Sequence, residues 1–354
     1  MGMRQQLWRS GLLVGLLAAL AGCACPTGAS SRASGLTKSA DGRVWTFHAT
    51  TVDDLALPAQ QAWSEALSSA EAHEFRLTLA PGRYEGFALT LEDTALEREL
   101  TLVVEGVDGV ATLSGGAMKL GSAKVELRGV VLTQVRSEGP ALQIQVSKGF
   151  VAERVALVDN TRTSKDADAP LVALRARGKG AVATATWRDS WFVGNISEGG
   201  DPLIATPLLG QAKLASLTFE RVVFAGNKVN VLVEPWFTAR VELRRALVAE
   251  EHLNEAVFGL QSPLVKVDLH DSTLSGHALV GLRTSIDVAR GDFQKVGLHG
   301  SEAQTSERTS DDAVVADEAS KLGTRPRTLD LEAAREAALG GEAPDIGALG
   351  GKAP

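Results

Sequence analysis

The sequence predicts an all-β solenoid, a parallel β-helix closed at its N-terminal end by a capping helix. Three observations carry that expectation. From Arg76 onward, apolar residues alternate with a period of two, as in strands with one buried face. A short pattern returns along the chain, "RDSWFVGN" at 188–195 coming back as "ERVVFAGN" at 220–227. The intervals between copies are unequal, which suits coils whose strands keep register while their loops differ.

The copies align on a large apolar residue: Leu132, Leu157, Phe192, Phe224, Val248, Leu274 and Phe293, at intervals of 25, 35, 32, 24, 26 and 19 residues. Five positions earlier stands a second apolar column, Leu127, Ala152, Trp187, Phe219, Leu243, Leu269 and Val288. Two positions before the anchor the residue is mostly small: Val130, Val155, Ser190, Val222, Ala246, Ser272 and Gly291. One such unit cannot bury its own apolar face, so the copies must stack. Helical solenoids would show a helical period in each copy, and propeller blades need about twice the length.

Taken in order, the chain opens with Arg4 and Arg9 and an apolar run from Gly11 to Ala21. That run is shorter than the roughly 20 residues that span a bilayer, so residues 1–22 read as a signal peptide. Residues 23–43 are small and polar, a tether in composition. Residues 44–75 hold a strand, "VWTFHAT", and then Ala59, Ala62, Trp63, Ala66, Leu67 and Ala70 on one helical face, with Pro58 suited to the first turn. Residues 76–300 are the coils, and 301–354 hold a polar acidic loop and a closing segment.

Two stretches carry resemblances. Leu20-Ala21-Gly22-Cys23 resembles the lipobox of bacterial lipoproteins. The resemblance implies cleavage before Cys23 and lipidation there by several acyl chains such as palmitate. With Ala24 rather than Asp next, it implies the outer membrane rather than the inner. "RLTLAPGRYEGFALTL" (76–91) resembles the first coil of right-handed parallel β-helix proteins of the pectin-lyase-like superfamily. "TLDLEAAREAALGGEAPDIGALGG" (328–351) resembles their closing segment, although Leu349 stands where an aromatic is commoner.

Composition narrows the partners. The formal charge is −7, and removal of residues 1–22 takes it to −9, which argues against nucleic acid. It also disfavours acidic polysaccharides, unless a local basic patch or bound cations intervene. Cys23 and Cys25 are the only cysteines, so the fold has neither a disulfide framework nor a Cys-based metal site. The six histidines show no metal-ligand spacing.

The aligned copies place charges in columns. Arg128, Glu153, Arg188, Glu220, Arg244 and His270 alternate in sign, beside Gly129, Arg154, Asp189, Arg221, Arg245, Asp271 and Arg290. At the strand spacing of about 4.8 Å, neighbours in a column pair, so an exposed ion-pair ladder is expected. The functional reading makes Asp159, Asp189, His270 and Asp271 an acid–base cluster. The resemblance implies such chemistry, sometimes with Ca²⁺, in polysaccharide-cleaving relatives. Their "NTD", "DD", "GHG" and "R-x-K" set and their "DH" dyad are missing, and His270-Asp271 has the reversed order.

Asn160, Asn195 and Asn227 form a further column, continued by Glu251 and His277, expected as a structural ladder at a turn. Last, Val131, Ala156, Trp191, Val223 and Leu247 make an outward apolar stripe, which requires cover. Candidate covers are the chain's own residues 329–339, a protein partner or a glycan stacked on Trp191 and Trp236. The function expected is a non-catalytic cell-envelope lipoprotein binding glycan or an envelope protein. The alternative is a polysaccharide lyase, hydrolase or epimerase with an atypical site.

Overall fold

The structure, a computed structural model, describes residues 35–93, 98–107, 109–164, 170–178, 180–199, 201–207, 212–236, 238–249, 251–260, 265–270, 272–275, 280–282, 293–294, 297–299 and 329–345. Between 266 and 299 the strands are described by their backbone pairing.

Each coil contributes strand segments that pair in parallel with the coils before and after. The strand Leu142–Glu153 pairs as 142–146 and, after a register shift, as 149–153 with the strand Ala117–Arg128. A further segment, Ala156–Val158, completes its third face. The anchor column appears in register as Leu132, Leu157, Phe192, Phe224, Val248 and Leu274. It extends back through Leu113 to Tyr84 of the "PGRY" turn. Inside, Phe150, Trp187, Phe192, Phe224 and Phe219 contact one another ring to ring, with Phe192 and Phe224 stacked at 4.9 Å.

Backbone handedness makes the corners. Gly129, Arg154, Asp189, Arg221 and Arg245 all have φ between 49° and 59°, one left-handed residue between the second and third segments of each coil. Gln134, Asp159, Gly194 and Gly226 repeat this at the next corner, with φ between 54° and 65°. Only glycine adopts this region without cost, so the other side chains are held there by the ladders on either side.

Two expectations change. Leu274 pairs with Leu298 and Leu269 with Phe293, so Phe293 belongs to the first apolar column and Leu298 is the anchor. The two columns lie five residues apart, and a one-column slip therefore still places an apolar residue at the anchor. Val288, Arg290 and Gly291 lie outside the described residues. The segment expected as tether contains a strand, Leu36–Lys38, antiparallel to Val44–Ala49. Lys38 Nζ lies 3.6 Å from the Trp45 ring centroid, a cation–π contact that fixes it there. Residues 23–34, Cys23 among them, lie outside the description.

The N-terminal helix is Leu57–Ser68, with Pro58 in its first turn and Ala59, Ala62, Trp63 and Ala66 buried. Trp63 meets Phe75 edge-on at 5.3 Å. Arg98 donates to the carbonyls of Ala66 and Leu67 in the last turn of the helix and of Ala72 beyond it, pinning the helix end to the following strand. The C-terminal helix Leu331–Leu339 is capped by Asp330, whose side chain accepts from Glu332 N and Ala333 N. No helix among the described residues is long and apolar enough to cross a membrane.

Candidate functional site

The charge columns fall in register as expected. Arg128 neighbours Glu153, which neighbours Arg188, then Glu220, Arg244 and His270. Only part of the pairing runs between coils: Arg188 Nε meets Glu220 at 3.1 Å, and Arg76 spans a coil to Glu105 at 2.9 Å. Arg221 likewise reaches back one coil to Asp189, while other pairs run along single strands, two residues apart on one face. Lys124 holds Glu126 at 2.6 Å, and Arg240 and Arg244 hold Glu242 at 2.8 and 3.0 Å.

The acid–base candidates are not brought together. Asp189 sits on a left-handed corner and accepts from Arg221 Nε at 2.6 Å and Nη2 at 2.9 Å. That bidentate contact holds the Arg221 guanidinium charged, its pKa raised by Asp189 first and Glu220 after it. Asp159, on the other corner, accepts from Arg335 of the C-terminal helix at 2.7 Å. His270 is placed by register beside Arg244, and Asp271 lies outside the described residues. No group of three His, Cys, Asp or Glu among the described residues converges as a metal site requires.

The asparagines form a buried ladder. Asn160 Nδ2 donates to Asn195 Oδ1 at 2.9 Å, and Asn195 Nδ2 to Asn227 Oδ1 at 2.8 Å. Each amide also donates to an anchor-column carbonyl, those of Leu132, Leu157 and Phe192. Glu251 ends the described run, accepting from Asn227 Nδ2 at 2.8 Å and Asn227 N at 3.1 Å. Its full burial pushes its pKa well above the ordinary carboxyl range, against the opposing pull of the two Asn227 bonds. His277 lies outside the described residues.

The apolar stripe is covered by the chain itself. Val131, Ala156, Trp191, Val223 and Leu247 are buried in a cluster with Leu329, Ala334 and Ala338. The helix runs back along the coils: Leu331 abuts Gly226, and Gly341 abuts Val110. Trp191 is 2% exposed and its indole N–H donates to the Glu342 carbonyl at 2.7 Å. Val131, Trp191, Val223 and Leu247 are therefore not an open surface for a glycan or a partner, because the small Ala334–Ala338 face of the helix fills it. Trp236 is half-buried in the connection between the strands Lys228–Glu234 and Thr238–Arg244, away from the third segment that carries Trp191.

The parallel coils, two left-handed corners and asparagine ladder can be set beside known structures. A structure of a pectate lyase from a Bacillus species, solved with trigalacturonate, superposes with a TM-score of 0.51, covering 87% of this chain and 95% of that one at 15% identity. The chain has the right-handed parallel β-helix, pectin-lyase-like fold. At that identity the likeness speaks for the pectin-lyase-like fold and not for an activity. No family model and no curated protein matches the chain.

The sequence reading missed one arrangement on the second segment of the coils. "KVELR" at 124–128 and "RVELR" at 240–244 are the same motif, and their shared four letters were the signal available. In each, a buried glutamate is held between two cations that remain about half exposed.

Proposed function

We propose that the protein is a non-catalytic, lipid-anchored rod of the bacterial cell envelope whose lateral surface holds a glycan. The carrying observation is that the two acid–base candidates with described side chains are engaged in structural contacts: Asp189 with Arg221, and Asp159 with Arg335. A general acid or base must reach a substrate proton at hydrogen-bond distance, and the guanidinium already occupies that position on each of these carboxylates. The lipobox-like Leu20-Ala21-Gly22-Cys23 supports the anchor and the envelope location. An envelope protein is the other partner class that fits a rigid rod.

A second reading, cleavage of an acidic polysaccharide, is favoured by the pectate lyase among solved structures. Incubating the protein with acidic and neutral polysaccharides, with and without Ca²⁺, separates the two. Retention without new chain ends supports the rod, and a rise in unsaturated or reducing ends supports the enzyme.

A further inference from the structure

The asparagine ladder changes its chemistry at the last described rung. Asn160, Asn195 and Asn227 are neutral amides, each 0% exposed, and Glu251 continues their column as an acid at 4% exposure. Its carboxyl supplies two of the four bonds that run between residues 226–227 and residues 249–252. Glu251 Oε1 accepts from Asn227 Nδ2 at 2.8 Å, and Oε2 accepts from Asn227 N at 3.1 Å. On either side, Gly226 N donates to Ala249 O at 3.3 Å and His252 N to Asn227 O at 2.8 Å. The same corner seats the C-terminal cover. Leu331 lies against Gly226, and Leu329 shares an apolar cluster with Val223, Leu247 and Ala249.

No described cation pairs with Glu251; its partner is the Asn227 amide. Next to it His252 is exposed, in register with the exposed Lys228 of the preceding coil. Arg245 stands at the other corner of the same coil. On the C-terminal helix, Arg335 is committed to Asp159, and Asp330 and Glu332 are exposed acids. Glu250 and His277 lie outside the described residues. An ionised Glu251 is thus a buried charge facing neutral amides, which a low-dielectric interior disfavours. The neutral carboxyl matches the polarity of the column it ends.

We propose that Glu251 is a pH-operated latch on the C-terminal cover of the rod. With the carboxyl protonated, the corner is closed and the helix Leu331–Leu339 lies on the apolar stripe. Loss of the proton to solvent leaves a buried charge without a cation, and Leu247–Ala249 part from Val223–Ala225. Leu247 and Ala249 then leave Leu329, the helix loses the seat at its N-terminal end, and the stripe around Val223 and Trp191 opens. Coils closed by Asn160 and Asn195 carry no ionisable group in the column and stay shut. The latch is independent of what the rod binds.

The test is amide hydrogen exchange of the full chain across a pH series, read peptide by peptide, with Glu251→Gln alongside at every pH. Comparison at equal pH cancels the intrinsic pH dependence of exchange and any titration of His252. Burial raises the Glu251 pKa well above the ordinary 4.5, so between that value and the folded pKa each opening releases one proton. In that window, peptides covering 247–253 and 331–342 are expected to exchange faster in the unmodified protein. Their excess over the variant is expected to grow about tenfold per pH unit, the signature of one linked proton. Peptides covering 142–153 are expected to match in the two proteins. Glu251→Asn, the column's own side chain, repeats the comparison independently of how glutamine packs. Equal exchange in the unmodified protein and either variant at every pH overturns the latch. A pH-dependent difference spread evenly along the rod also overturns it, because that is global unfolding and not release of one corner and its cover.

Discussion

Arg335 Nε and Asp159 Oδ2 lie 2.7 Å apart although 176 residues separate them in sequence. The pair ties the C-terminal helix across the coils at a left-handed corner that, among the described residues of its column, alone carries a carboxylate; the others are Gly86, Gly115, Gln134, Gly194 and Gly226. Two kinds of energy meet at Asp159 and can be separated. Asp159→Ala keeps a Cβ at φ 54° and removes the ion pair, worth about 1 kcal/mol at most because both partners are partly exposed. Asp159→Gly removes the pair but also relieves the cost of that Cβ, about 1–2 kcal/mol. Urea unfolding of the two variants checks the order: alanine is expected below glycine.

Trp191→Ala is expected to destabilise by about 3–5 kcal/mol, the cost of emptying a large buried site, and to loosen the segment after the C-terminal helix, where the Glu342 carbonyl loses its donor. Glycan retention by the folded fraction is expected to stay unchanged, since the indole is under the helix and not on an open surface. Binding at a temperature where the variant remains folded distinguishes the two effects.

Asn195→Ala cuts the ladder in the middle. It removes the acceptor of Asn160 N and Nδ2 and the donor to Leu157 O, all buried. Stranding such groups costs about 1–3 kcal/mol each, so a loss of several kcal/mol is expected in denaturant unfolding. The exposed Arg188→Ala is expected to cost under about 1 kcal/mol in the same measurement.

Glu251 gives the rod a pH dependence of defined sign. Its folded pKa lies above the ordinary value of 4.5, so between that value and the folded pKa the native state binds more protons than the unfolded chain. Stability therefore falls as pH rises through that window. Glu251→Gln offers one carbonyl oxygen to both Asn227 donors, as each ladder asparagine does, and removes the ionisation. Melting across a pH series is expected to show this variant gaining on the unmodified protein as pH rises.

The columns from Leu127 to Leu274 were legible in the sequence because a buried face repeats its apolar residues at fixed offsets even when loops differ. The helical face at Ala59, Ala62, Trp63 and Ala66 was legible for the same reason. The last coil was misread at Phe293 because two apolar columns five residues apart are interchangeable by pattern alone. The left-handed corners were hidden because Arg154, Asp189, Arg221, Arg245, Gln134 and Asp159 occupy conformations that glycine usually signals. The need to cover the stripe was readable from Trp191 and Val223. The clamps on Glu126 and Glu242 were missed because the charge columns were read down the coils, whereas these acids find their partners along the strand.

The most direct measurement incubates the protein with a panel of acidic and neutral polysaccharides, with and without Ca²⁺, following retention and chain cleavage together. The account predicts retention of a glycan without cleavage. Cleavage of any chain, or retention of no glycan at all, contradicts it.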